Sequence, residues 1–265
     1  IRDRYCTRVQ RDNANTSTSN VFLFQNFESI NSIPFAGKTV TLSFYARSGA
    51  NYSAASSALT VQLITGTGTD QNWYSGYTGQ AVPINTTSTL TTTWQRFSVT
   101  GTIASTATEL ATNFYFTPVG TAGANDFFEI TGVQLEVGSV ATPFHTYAAT
   151  IQGELAACQR YYSRFGGTAY NALGSGVYTS TTNCRIYIPM PVTMRTTTAF
   201  TYSAGSDFGI FNGSGNDAST AVAANSLDVN SAALDFTVTA RTAGYAGISN
   251  TRTNTTAYLA FSAEL

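Results

Sequence analysis

Apolar and polar side chains alternate along most of this chain. The clearest run places Val40, Leu42, Phe44 and Ala46 between Thr39, Thr41, Ser43 and Tyr45, the two-residue period of a strand that buries one face. The same reading predicts strands at Tyr5–Gln10, Val21–Phe24, Leu59–Thr65, Trp94–Val99 and Asn113–Phe116, and at Phe127–Ile130 running into Val133–Val137. A loop holding Pro34 and Gly37 and a Gly-rich stretch after Thr65 punctuate the series. Short strands separated by turn residues, with almost no helix, predict a sandwich or barrel rather than a βαβ fold. Residues 1–147 are therefore expected to form an antiparallel β-sandwich.

One segment breaks the pattern. From Thr150, the residues Ile151, Leu155, Cys158 and Tyr162 recur at helical spacing, and Gly166-Gly167 ends the run. This predicts a connecting helix of about four turns within residues 148–166, a hinge between two domains. Beyond it the strand pattern returns at Val177–Thr179, Cys184–Ile188, Leu234–Thr239 and Ala257–Phe261, with Phe211–Asn216 as an exposed turn. Residues 167–265 read as a smaller, all-β domain.

Composition narrows the function. The 265 residues are 43% hydrophobic and 13% aromatic, ample for two cores. Charged residues are only 10%, against about 25% in an average soluble protein. A net charge of −1 and a single lysine, Lys38, leave no field to hold a nucleic-acid backbone. No apolar stretch approaches the ~20 residues of a membrane-spanning helix, so membrane insertion is not expected. Cys6, Cys158 and Cys184 are odd in number and far apart, which predicts buried free thiols from a reducing compartment rather than a disulfide framework or a zinc site. His145 is the only histidine, and no Gly-x-Ser-x-Gly element accompanies it. Asp126 and Glu129 are the closest acidic pair in the densest strand region, but their odd spacing sends them to opposite faces. They read as turn and solvated-edge carboxylates rather than a glycosidase pair. No Asp-x-Asp run supports a structural Ca²⁺, and no cofactor is expected.

Several segments carry a resemblance. Gly37-Lys38-Thr39-Val40-Thr41-Leu42-Ser43-Phe44-Tyr45-Ala46-Arg47 and Thr91-Thr92-Thr93-Trp94-Gln95-Arg96-Phe97 resemble strands of jelly-roll modules in bacteriophage tail and fibre proteins. Ile130–Ser139 with Ala141-Thr142-Pro143-Phe144 resembles their closing strand. Glu154-Leu155-Ala156-Ala157-Cys158-Gln159-Arg160-Tyr161-Tyr162 is similar to the helix that follows it. Pro191–Thr196 and Ser262–Leu265 fit the distal domain of such fibres. The sandwich is also similar to jelly-roll carbohydrate-binding modules. Where the family carries an acidic residue after Pro-Phe this chain has His145, so no role is carried to that position. The resemblance implies a jelly roll in which a further strand and loop precede Tyr5, residues 1–265 then being the distal part of a longer polypeptide.

Asp70-Gln71-Asn72-Trp73-Tyr74-Ser75-Gly76-Tyr77 packs three aromatics into a polar loop. Sugars present apolar C–H faces ringed by hydroxyls, which flat aromatics beside amides and carboxylates suit. Asp70, Asn72, Trp73, Tyr74 and Tyr77 are therefore the candidate glycan or receptor contacts, with a subunit contact or a core cap as alternative roles for Trp73. Tyr202, Asp207, Phe208, Phe211 and Tyr245 stand among Gly, Asn and Ser in the distal domain, where a fibre would meet its host. The resulting expectation is a non-catalytic virion protein, assembled in the host cytoplasm, forming the end of a tail or capsid fibre that binds a host-surface glycan. It would be a homotrimer in contact with other virion proteins, with Ile151, Leu155 and Tyr162 packed around the axis. A capsid-decorating protein and the carbohydrate-binding module of a secreted enzyme are the alternatives.

Overall fold

The computed structural model describes residues 5–148, 150–239 and 241–264. The chain divides into two compact units, one ending at His145 and one spanning Thr146–Glu264.

Among the described residues the first unit holds strands β1 (Thr7–Gln10), β2 (Val21–Phe27), β3 (Thr39–Ser48), β4 (Ala58–Gly66), β5 (Ala81–Thr89), β6 (Gln95–Thr102), β7 (Glu109–Phe116) and β8 (Phe127–Val137). A single helical turn, α1 (Ser29–Ser32), follows β2. The strands form two antiparallel sheets ordered β1-β8-β3-β6 and β2-β7-β4-β5. Apart from the β4–β5 hairpin, successive strands cross between the sheets in the manner of a jelly roll. Val40, Leu42, Phe44 and Ala46 all face inward on β3, as alternation predicts. They meet Leu59, Val61 and Leu63 of β4 and Phe114 and Phe116 of β7 in one core. Phe44 sets its ring edge-on to Phe114 at 5.0 Å. Each such side chain, fully buried, contributes about 1.5–3 kcal/mol.

Sequence periodicity misses β5. Its Ala-Val-Pro-Ile-Asn-Thr-Thr-Ser-Thr is broken by Pro83 and rich in Thr. The strand lies at the edge of its sheet, where a residue without an N–H is tolerated. The two segments read as Phe127–Ile130 and Val133–Val137 are one strand, β8, whose register against β3 shifts opposite Ser43 and Tyr45.

Arginine pairs bracket this unit. Arg11 and Asp126 are both buried and joined at 2.8 Å. Arg11 Nη2 also donates to the carbonyls of Asn15, Ser17 and Gly120, while Asp126 accepts from the Ser53 N–H and hydroxyl. Removing one member of such a pair costs about 3–5 kcal/mol. Glu129 is held between Arg8 at 2.6 Å and Arg47 at 2.5 Å. The expectation of solvated carboxylates is thus corrected at both positions: each is buried and arginine-paired.

The second unit opens with α2 (Ile151–Gln159), capped by the Thr150 hydroxyl accepting from the Gly153 N–H. Ten strands follow: β9 (Tyr162–Gly166), β10 (Ala172–Tyr178), β11 (Asn183–Pro189), β12 (Ala199–Tyr202), β13 (Gly209–Phe211), β14 (Asn216–Ala218), β15 (Ala221–Leu227), β16 (Ser231–Thr237), β17 (Ala246–Asn250) and β18 (Tyr258–Ser262). They build a seven-stranded sheet, β14-β13-β17-β10-β11-β16-β15, and a three-stranded one, β12-β18-β9. Ile186, Leu234, Phe236, Leu259 and Phe261 share its core. The helix is nine residues long, about two and a half turns rather than four. Tyr162 belongs to β9 because Ser163 and Phe165 turn inward with a two-residue period while pairing with β18. Of the three free thiols only Cys184 is buried; Cys6 and Cys158 are exposed, against expectation.

Glu129 makes acid sensitivity testable. Burial pushes its carboxyl upward, but hydrogen bonds and charge from Arg8 and Arg47 outweigh this and leave it below its ordinary 4.5. A carboxyl depressed in the folded state stabilises fully above its unfolded value and less as the pH falls through the folded one. Glu129→Gln should therefore melt below the parent near neutral pH, and the gap should narrow below about pH 4.5 in urea melts across a pH series.

Candidate functional site

The aromatic loop folds onto the outer face of the β2-β7-β4-β5 sheet. Its base is held by Glu109, the first residue of β7, whose buried carboxylate accepts from the backbone N–H groups of Gly68 and Gln71. A side chain at residue 68 would put its Cβ 2.2 Å from Gln71 Oε1 and 2.8 Å from Glu109 Oε2, so it would have to displace the side chains that hold the loop. The two limbs are tied by the Thr67 N–H to the Thr78 carbonyl and by Gln71 across to Thr78.

Three of the five loop residues singled out in the sequence hold the loop together. Asp70 accepts from the Ser29 N–H and returns its own N–H to the Ser29 hydroxyl, pinning the loop to α1. Asn72 Oδ1 accepts from the Tyr74 N–H and so caps the single 3₁₀ turn of Trp73–Ser75. Tyr77 is buried and donates to the Leu110 carbonyl; burial, helped by the Glu109 charge, pushes its hydroxyl well above the ordinary range.

Trp73 and Tyr74 stand over the sheet. The Trp73 N–H donates to Asn26 Oδ1 at 3.1 Å, and its half-buried ring packs on a small cluster of Ile64, Tyr77 and Ala111. This cluster lies on the outer face, separate from the core between the sheets. Trp73 meets Phe24 edge-on at 5.4 Å. Tyr74, 67% exposed, stacks on Phe22 at 5.6 Å and on Phe24 at 6.0 Å.

Below these rings a row of amides crosses the sheet. Register places Asn113 of β7 opposite Phe24 of β2 and Gln62 of β4, and Gln62 opposite Asn85 of β5. Asn113 Nδ2 donates to Gln62 Oε1 at 3.0 Å, and Gln62 Nε2 donates to Asn85 Oδ1 at 3.2 Å. The relay leaves one group unanswered. Asn113 is only 3% exposed, and among the described residues no donor reaches its Oδ1. A buried acceptor without a partner costs about 1–3 kcal/mol; in the second unit Asn183 Oδ1 and Thr198 Oγ1 are unanswered in the same way.

Asn113 and Gln62, together with Asn20, Phe22, Tyr115, Trp73 and Tyr74, line an open pocket of about 220 Å³. No carboxylate, histidine or cysteine lines it. It offers flat hydrophobic faces, amide groups and no ionised chemistry. A larger cleft of about 440 Å³ opens where β1 and β2 lie side by side, walled by core residues such as Leu23, Phe114 and Ile130; none of its lining side chains has an unanswered buried atom. Among the described residues no group of three His, Cys, Asp or Glu is placed to hold a metal ion.

Sequence reasoning reached Trp73 and Tyr74 but not the sheet beneath them. The available signal was Asn113: an amide in mid-strand, in the outward register opposite Phe114 and Phe116. In the second unit, Ile151 and Leu155 share one exposed helix face and Tyr162 is exposed on β9. Phe208 is buried and Tyr202 packs against the core, whereas Phe211 and Tyr245 are exposed. Hydrogen bonds from Ser203 and Asn254 lower the Asp207 carboxyl.

No family model and no curated protein matches the chain. Among solved structures it is similar to a protein described as "CBM4 structure and function", at 18% identity and a TM-score of 0.34, covering 52% of this chain and 74% of that one. It is also similar to the N-terminal CBM22-1–CBM22-2 tandem domain of Xyn10C from Paenibacillus barcinonensis, at 12% identity and a TM-score of 0.27, covering 87% and 80%. At these scores the likeness assigns neither a family nor a ligand to this chain.

Trp73 caps a satellite cluster rather than the sandwich core, so truncation should be tolerated. Trp73→Ala is expected to cost about 1–2 kcal/mol in urea unfolding, below the about 3–5 kcal/mol of a fully buried aromatic.

Proposed function

We propose that the first unit is a non-catalytic binding module for a neutral saccharide, seated in the cavity beneath Trp73 and Tyr74. The observation that carries this reading is the buried, unanswered Asn113 Oδ1 in a cavity walled by aromatic rings. A ligand for it must bring a hydrogen-bond donor, present apolar faces to the rings and carry no charge. A sugar ring meets all three demands. The likeness to carbohydrate-binding modules agrees with this but is too distant to add weight.

The biological setting we infer is a bacteriophage fibre whose module attaches to a host-surface glycan. The ordered series of motifs from Gly37–Arg47 through Glu154–Tyr162 supports this setting. Repeated weak sites along a fibre would add through high effective concentration.

On an array of bacterial surface glycans and common neutral oligosaccharides, the full chain should retain neutral glycans. Asn113→Ala should weaken retention about tenfold, the equivalent of one lost hydrogen bond. Its folding stability should change by less than about 1 kcal/mol, because the variant also removes an unsatisfied group. Failure to bind any glycan, or unchanged binding by Asn113→Ala, overturns the reading.

We further propose a homotrimer. Ile151 is 82% exposed, Leu155 55% and Tyr162 45%, an apolar series open to solvent on the second unit. Light scattering of the 265-residue chain should give three times 28.1 kDa, and Leu155→Glu should lower that mass. A chain that stays monomeric at high concentration refutes it.

A further inference from the structure

The shape of the cavity restricts which part of a glycan enters it. This inference rests on the saccharide-binding reading and asks which residue of the saccharide is held. Cavities that take drug-sized ligands run to about 300–1,000 Å³. At about 220 Å³ this one holds the equivalent of about seven waters of about 30 Å³ each, room for one sugar ring.

The walls matter as much as the volume. A polysaccharide bound along its length needs a groove open at both ends. Here β2 is the edge strand of the sheet, and Phe22 and Phe24 on it are roofed by the stacked Tyr74 ring. Trp73 stands against Phe24 beside them, with its backbone fixed to Asn26. The β2 side of the pocket is therefore walled by the stacked rings of Phe22 and Tyr74. On the other side the Asn113–Gln62–Asn85 relay runs out to β5, the opposite edge. Away from β2 the pocket is open to solvent, and its unanswered acceptor belongs to a buried side chain of its floor.

We propose that the site holds the terminal residue of a neutral glycan, inserted end-on, with one of its hydroxyls donating to Asn113 Oδ1. A chain-internal residue, linked on both sides, has no exit past Phe22 and Tyr74. Asn113 Oδ1 is covered in the free protein, so binding requires a local shift of the side chains over it.

Titration calorimetry with the full chain tests this. The probes are the methyl glycosides of glucose, galactose, mannose and N-acetylglucosamine, and the matching β-linked oligosaccharides up to hexamers. For the sugar that binds, Kd should change by less than about threefold from monosaccharide to hexasaccharide. The variant Tyr74→Ala, which opens the β2 side, should introduce a dependence on length. A gain of about tenfold or more with length in the parent overturns end-on binding while leaving saccharide binding intact. A flat response in both proteins overturns the role given to Tyr74 as the closing wall. Binding by none of the probes or their oligomers, with none on the glycan array, overturns the underlying reading and this inference with it.

Discussion

One buried carboxylate organises the first unit's outer face. Among the described residues Glu109 has no arginine or lysine partner like those of Asp126 and Glu129; it accepts from backbone N–H groups of the loop that follows β4. A charge placed there is tolerable only while those N–H groups converge on it. The loop consequently has to close over the sheet, and a side chain at residue 68 would displace the groups that hold it. Trp73 and Tyr74 stand where they do because of this constraint, several residues away from the atoms that impose it.

Two kinds of polar chemistry are separated in the sandwich. The β1-β8-β3-β6 sheet carries its ion pairs, with Glu129 clasped by Arg8 and Arg47 and Trp94 beneath the Arg47 guanidinium. The β2-β7-β4-β5 sheet carries the buried Glu109 at one end of β7 and, across its outer face, amides and rings. The first arrangement pairs the buried Glu129 with two arginines and is suited to stability. The second leaves Asn113 incompletely bonded and is suited to accepting something from outside.

The sandwich was legible because β3 obeys strict alternation and Phe44, Phe114 and Phe116 fall in inward register. The strands that escaped notice lack that contrast. β15 reads Ala-Val-Ala-Ala-Asn-Ser-Leu and β17 Ala-Gly-Ile-Ser-Asn, where small residues carry little difference between the faces. The candidate site was half legible for a related reason. A loop crowded with aromatics stands out in one dimension, whereas Asn113, Gln62 and Phe22 come from three strands and form a surface only once register aligns them. Asp70, Asn72 and Tyr77 drew attention by composition, yet their side chains are spent on capping and anchoring.

The amide relay has a consequence for the medium in which the protein works. Asn113, Gln62 and Asn85 pass hydrogen bonds across the sheet without any formal charge, and no ionised group lines the cavity above them. Counter-ions screen charges and leave neutral dipoles at contact distance almost untouched. A neutral ligand held at this face, as proposed, would accordingly be bound with little dependence on salinity, in brine much as in fresh water.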